Sequence, residues 1–460
     1  MVVLALGRTA KKLWTHCFVH PKNEAEGYMD IKERLLFLIE DNRERLIEIC
    51  RRLIDIESVT GNEKRVQEEV AAIFREIGME IDMWEPDDEE LRRCEYFSET
   101  GESFKNRPVV VGRLPGKDPG KGRTLLINGH VDVVTPEPIG KWNTDPFQME
   151  ICNGRLYGRG ASDMKTGLAT AIFCVEMLKK CGGANSDITI MSVPGEENGG
   201  NGTVAAIMRG YTQFDGAVYP EPTSNCIQPA HRGAAFWRIH IDGKASHGGT
   251  KYKGVSAVEK GIKIVQALAE LEKTRHENIC SKNIFYKDYP LSAPVTVGIF
   301  RGGQFTSGVP EYCMIEGCIE YVYGEHSADV TRSLEETVAA ACVGDPWMET
   351  HPPKVEWFGL RYEPAATERD HPMVKLAEAC YEEITGKKAV VNGFEAGTDM
   401  RLIRNPFGVP GFMFGAGDIS MAHAPNEFVN IEKLMENAKV LCTFMAAWCG
   451  MDGKKDETEV

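Results

Sequence analysis

The sequence predicts an α/β fold, a mostly parallel sheet with helices on both faces, interrupted by a small α+β domain. Three observations carry this. Helical apolar patterns alternate with short buried-strand runs over the first half of the chain. Near Cys226 the texture changes to alternating strands in the order β-α-β-β-α-β, the split βαβ pattern of a small domain. After about Glu363 the long helices and buried strands return. The organisation expected is an extension at 1–28, a main domain at 29–229 and 363–450, an inserted domain at 230–362, and a polar tail at 451–460.

From Ile31 to about Ile77 the apolar residues recur at helical spacing. Leu46, Ile49 and Leu53 share a face, and Ser58–Asn62 punctuates two helices. An acidic loop follows at Glu85–Glu90. Val109–Leu114 and Thr124–Ile127 are β-rich runs joined by the turn-forming PGKDPGKG. Leu168, Ala171, Ile172, Val175 and Leu178 line one helix face, ended by Gly182-Gly183. Ile188–Val193 and Ala217–Tyr219 read as buried strands. In the inserted region Ala235–Ile241, Val295–Ile299, Cys313–Tyr323 and Lys354–Phe358 read as strands, with helices at about Val255–Leu271 and Ala328–Cys342. A helix at His371–Ile384 and a strand at Gly411–Phe414 complete the main domain.

Composition narrows the function. The chain has 460 residues, 42% of them hydrophobic and 26% charged, which excludes disorder as its main state. Lys and Arg number 53 against 68 Asp and Glu, for a net charge of −15. Such a chain is a poor partner for nucleic acid or anionic lipid and a better one for cations. Apolar runs are far short of the roughly 20 residues that span a bilayer, so no membrane association is expected. The N-terminus places its apolar run before its basic residues, the reverse of a secretory signal. The 14 cysteines are scattered, with no Cys-x-x-Cys pair, and read as reduced thiols of a cytoplasmic protein.

The carboxylates and histidines fall at strand ends and helix starts. TLLINGHVD carries His130 and Asp132, GRGASDMKTG carries Asp163, PGEENGG carries Glu196 and Glu197, AVYPEPTSN carries Glu221, and MAHAPN carries His423. In an open α/β sheet, ligands bind beyond the carboxyl ends of the strands, so these residues should converge. Converging anions and imidazoles repel and desolvate one another unless a cation sits among them. Imidazole with carboxylate suits zinc and its neighbours, and this many ligands suits two metals. The Gly-x-Gly of GRLYGRGASDMKTG lacks the remainder of a phosphate-loop signature, and no Gly-x-Ser-x-Gly elbow is present.

NGHVDVV, GRLYGRGASDMKTG, PGEENGG, YPEPTSN and MAHAPNE together resemble the metal-binding series of the acetylornithine deacetylase / succinyl-diaminopimelate desuccinylase family, co-catalytic zinc hydrolases of the aminoacylase and glutamate-carboxypeptidase type. The resemblance runs from about Leu46 to Trp448. It implies a zinc-peptidase-like main domain, an inserted ferredoxin-like lid through which two copies dimerise, and two divalent metal ions per subunit, zinc first and cobalt as the alternative. It implies that Asp163 bridges the ions, that His130 and Glu221 complete one, and that Glu197 and His423 complete the other. Asp132 would hold His130 from behind, Glu196 would be the general base, and the Asp163–Met164 peptide would be cis. His247, in GKASHGGT of the lid, would reach the active site of the partner subunit.

The implied reaction is hydrolysis of an N-acyl amino acid. A metal-activated water, its proton taken by Glu196, attacks the amide carbonyl, and Glu196 returns the proton to the leaving amine. Arg232, Thr398 and Arg401 are the candidate substrate-binding residues, since an Arg fork suits a carboxylate. No Asn precedes the Val-Pro at Gly302–Pro310, a departure from the desuccinylase pattern that leaves the acyl group open. The alternatives are a dinuclear zinc dipeptidase or carboxypeptidase, an N-formyl aminopyrimidine deformylase, and, last, a non-catalytic binding protein on the same fold.

Overall fold

The structure is a computed structural model that describes residues 30–280 and 282–451. The expected extension at 1–28 and all but Met451 of the expected tail lie outside the described residues.

Helices α1 (Ile31–Asp41), α2 (Arg43–Ile54) and α3 (Lys64–Ile77) open the chain. The sequence pattern anticipates the break at Ser58–Asn62 but not the one at Asn42. There the Asn42 amide donates to the Leu38 carbonyl at 2.8 Å, offering the last turn of α1 a partner other than the next helical N–H. The acidic loop holds one short helix, Asp88–Leu91, capped by Asp87. On either side of that loop run strand β1 (Glu80–Trp84), before it, and, after it, β2 (Val109–Leu114), β3 (Leu125–His130), helix α4 (Lys165–Lys180), β4 (Ile188–Val193), α5 (Asn201–Met208), β5 (Gly216–Tyr219) and β6 (Ile227–His231).

From Gly233 the chain builds a second sheet. Strand β7 (Gly233–Asp242) leads to α6 (Ala257–Cys280), β8 (Val295–Gly302), β9 (Tyr312–Tyr321), α7 (Ser327–Cys342) and β10 (Lys354–Tyr362). The sheet order is β8-β9-β7-β10, antiparallel throughout, as the split βαβ pattern requires. Along β7 the period of two is clean. Ala235, Trp237, Ile239 and Ile241 are buried with Ile264, Leu268 and Leu334 of the helices, and Phe236, Arg238 and His240 face the other way.

The main sheet is re-entered at β11 (Ala365–Ala366), followed by α8 (Pro372–Thr385), β12 (Val391–Phe394), α9 (Met400–Phe407), β13 (Gly411–Met413) and α10 (Ile431–Cys449). Its nine strands run β1-β2-β4-β3-β5-β13-β6-β11, with β12 also on β6. The sheet is mixed. Strands β4, β3, β5 and β13 are mutually parallel at its centre, and antiparallel pairs flank them. Both faces are covered. Val110, Ile127, Ile190 and Val218 pack beneath α1 to α4, α8 and α10. Their neighbours Val111, Leu126, Met191 and Ala217 pack beneath α5 and α9. Burial on both faces explains why these strands read as continuous apolar runs. No helix among the described residues is long and apolar enough to cross a membrane.

Candidate metal centre

Four parallel strands deliver the polar groups to one edge. His130 ends β3, in register with Val193 of β4. Pro194 and Gly195 then turn the chain into Glu196 and Glu197. Gly195 has φ +76°, and a Cβ there would meet the Arg107 guanidinium at 3.0 Å, so the turn requires glycine. Tyr219 ends β5 and is followed by Pro220-Glu221, and the loop after β13 carries His423 at φ +61°. Asp163 stands just before α4, and the Asp163–Met164 peptide is cis.

Asp163 lies between the two imidazoles. Its Oδ1 is 3.2 Å from His130 Nε2 and its Oδ2 is 3.5 Å from His423 Nε2. His423 Nε2 is also 3.1 Å from the Glu197 carboxylate. Ligand atoms of His130, Asp163 and Glu197 all lie within 4.8 Å of one another. The Glu196 carboxylate is 4.0 Å from His130 Nε2, and Glu221 lines the same cavity. Asp132 acts differently from the expectation. Its carboxylate accepts from the Thr60 hydroxyl at 3.1 Å and from the backbone N–H groups of Glu196 and Glu197 at 3.2 and 3.3 Å. His130 Nδ1 therefore points to the Asp132 backbone carbonyl at 2.8 Å, with the carboxylate 3.7 Å away. Either acceptor fixes the tautomer that leaves Nε2 facing Asp163.

The electrostatics show what the cluster lacks. Burial opposes a proton on His130, but Asp163, Glu196 and Asp132 outweigh it and hold the imidazolium well above its ordinary value. Hydrogen bonds to Asp163 and Glu197 push His423 up to about 10. Burial opposes ionisation of Asp163, yet the two imidazoles hold it below the usual carboxylate range. Glu196, Glu197 and Glu221 are raised, first by burial and then by one another's charge or that of Asp163 and Asp399. A divalent cation on either side of Asp163 would take the place of those protons and relieve the repulsion. The oxygen and nitrogen donor set, with a carboxylate able to bridge, fits two such ions.

A cavity of about 220 Å³ opens over Glu196, Glu197, Glu221 and His423. Its walls are Phe236 and Leu360 of the inserted sheet, with Tyr362, Phe394, Ala396, Ile419 and Arg401. Arg401 is already engaged, donating to the carbonyls of Thr398 at 2.8 Å and Gly199 at 2.9 Å with Asp399 at 3.5 Å. Thr398 is buried, and its hydroxyl accepts from Met400 N at the start of α9. Arg232 lies outside the lining. Its guanidinium pairs with Glu320 at 2.8 Å and donates to the carbonyls of Glu395 and Leu291, so its charge is spent in tying the two sheets together. His247 also lies outside it, exposed in a two-residue strand, Ser246–His247, paired with Gly308–Val309, where Nδ1 accepts from Gly249 N at 3.1 Å.

Two residues of the centre escaped sequence reasoning. Glu427 is fully buried and accepts from the backbone N–H groups of Gly160, Ser162 and Asp163. Arg159 pairs with it at 2.6 Å. Both sit inside the motifs GRGASDMKTG and MAHAPNE, where the one local signal is a second charged residue near Asp163 or His423.

The profile of the family described as Peptidase family M20/M25/M40 matches residues 126–447. The N-formyl-4-amino-5-aminomethyl-2-methylpyrimidine deformylase of Bacillus subtilis is 28% identical over 432 residues, covering 89% of this chain and 96% of its own. An acetylornithine deacetylase of Proteus mirabilis is 28% identical over 343 residues, covering 71% and 79%. Among solved structures, a tripeptidase from Staphylococcus aureus superposes with a TM-score of 0.68 at 18% identity, over 89% of this chain and 99% of that one.

Proposed function

The chain belongs to peptidase family M20/M25/M40, whose members hydrolyse amide bonds, and from that premise we propose that it removes a small acyl group, formyl before acetyl or succinyl, from the amine of a heteroaromatic ring. One observation carries the choice of substrate. The cavity over the carboxylates is walled by Phe236, Tyr362, Phe394 and Leu360, and its cation, Arg401, is tied to backbone carbonyls. A flat ring is held by such walls. A substrate carboxylate would need a free cation, and the described lining offers none. The pyrimidine deformylase relative, aligned over nearly its whole length, supports the same reading.

Two divalent ions, zinc or cobalt, would be held by Asp163 between them, with His130 and Glu221 on one side and Glu197 and His423 on the other. Bound there, they supply Lewis-acid polarisation of the amide carbonyl and an acidified water. The chain's own residues do the rest. Glu196, raised by burial and facing the cavity, takes the proton of the attacking water and returns it to the leaving amine. Asp132 holds Glu196 and Glu197 by their backbone N–H groups and so sets where the base stands. The aromatic walls keep bulk water from the leaving group. His247 would donate to the oxyanion from the inserted domain of a second copy, in a homodimer formed through that domain.

The expectation of an N-acyl amino acid substrate stays as the second reading, because the acetylornithine deacetylase relative aligns over 71% of the chain. It requires a carboxylate-binding cation from outside the cavity. The test is amine release from N-formyl aminopyrimidine, N-acetyl and N-succinyl amino acids, and dipeptides, with zinc or cobalt added and Glu196→Gln as the blank. Turnover of the formyl pyrimidine above the others is expected. Preference for an acyl amino acid would replace the first reading with the second, and turnover of dipeptides alone would overturn both.

A further inference from the structure

We propose that the buried pair Arg159–Glu427 is a positioning clamp that sets the spacing of the two metal-binding halves of the centre. The inference rests on the dinuclear reading above. Glu427 is fully buried, and its hydrogen bonds run to the loop that aims Asp163. Oε1 accepts from Ser162 N at 2.7 Å and Asp163 N at 2.9 Å, and Oε2 accepts from Gly160 N at 3.1 Å. The same Oε2 accepts from Arg159 Nη1 at 2.6 Å. The Glu427 backbone carbonyl accepts from Gly158 N at 3.1 Å, closing the loop from the other side.

Arg159 carries the contact onward. Nη1 donates to the carbonyl of Ala424 at 3.3 Å, and Nη2 to those of His423 at 3.5 Å and Thr135 at 3.4 Å. The guanidinium also lies 5.0 Å from the centre of the Trp142 ring. One ion pair thus joins the Asp163 loop, the His423 loop and the segment that follows Asp132. The His423 loop has the greater need of it. Its histidine is half exposed and adopts φ +61°, whereas His130 is fixed within β3. Groups that orient metal ligands from behind commonly govern affinity, by about tenfold to a hundredfold. The geometry therefore assigns the pair two separable effects. The carboxylate of Glu427 serves both ions through Asp163, and the fork of Arg159 serves the ion shared with His423.

Cobalt titration of the metal-free full chain, followed by visible absorption, reads each ion without substrate. Arg159→Lys keeps the charge pair and loses the fork. It is expected to bind the first ion as the wild type does and the second at least about tenfold more weakly. Glu427→Gln keeps the shape and loses the charge, and is expected to weaken both ions. Thermal melts of the same samples check folding. The inference is overturned if both variants melt cooperatively and bind two ions like the wild type, or if neither variant folds even with excess cobalt, which would make the pair a folding element. A wild type that takes fewer than two ions overturns the dinuclear reading instead, and this inference with it.

Discussion

Lys165 opens α4 two residues after Asp163, with no exposed surface. Its ammonium donates to the carbonyls of Leu53 at 2.9 Å and Ile56 at 2.8 Å, fastening the end of α2 to the start of α4. Burial pulls it from 10.5 down to about 7, against the opposing pull of Glu427, Asp132 and Asp55. In the unfolded chain the amine keeps its ordinary value, so between those two values the unfolded state binds more protons. Stability therefore rises with pH across that window, and the cost of the buried charge is fully felt below pH 7. From pH 7 to pH 9 the gain integrates to about 2 kcal/mol. Lys165→Met keeps the length of the side chain and removes the titration. Urea unfolding of both chains at pH 7, 8 and 9, in one buffer with one chelator, isolates the difference. The stability of the wild type relative to the variant should climb by about 2 kcal/mol over that range, with unchanged dependence on urea. A constant difference would mean that the amine stays charged throughout and that the two carbonyls compensate its burial.

Glu196→Gln should lower amine release by about 10²–10⁴-fold while metal content, measured on the purified chain, stays that of the wild type. Metal binding must displace the protons that Asp163 and Glu197 hold on His423 up to about pH 10. Apparent zinc affinity, read by chelator competition, should therefore rise by about tenfold per pH unit for each proton displaced between pH 6 and pH 8, and a flat profile would refute this. Gly167 of α4 lies so close to the strand end bearing Glu221 that a Cβ would stand 1.9 Å from the Pro220 carbonyl oxygen. Gly167→Ala should cost about 1–3 kcal/mol in thermal unfolding and weaken metal binding, and an unchanged melting temperature would show that the helix can withdraw freely.

Much of this candidate centre was legible because its polar residues obey a positional rule. His130, Glu196, Glu197 and Glu221 follow apolar β runs, and a parallel sheet brings such ends to one edge whatever their separation in sequence. The inserted domain was legible for the related reason that its strands alternate, as Ala235, Trp237, Ile239 and Ile241 do. What stayed hidden was pairing. Arg159 and Glu427 are 268 residues apart, and nothing local distinguishes a charge buried against a distant partner from one in water. In the same way, nothing local to Arg232 announces its pairing with Glu320, 88 residues on. Polar residues with local alternatives misled in a smaller way, as Asn42 did by splitting what reads as one helix.

Strand β13 lies between β5 and β6, although Gly411–Met413 comes late in the chain and its neighbours come before the insertion. A ribosome therefore delivers the middle of the large sheet almost last. Until then β5 and β6 have an unfilled gap between them, and neither layer of helices can close over it. The inserted domain has no such debt to later sequence, since all four of its strands lie between Gly233 and Tyr362. During synthesis it should be the first part to reach its final form, and nascent chains that stop short of residue 411 should carry one folded lid on an otherwise protease-sensitive polypeptide.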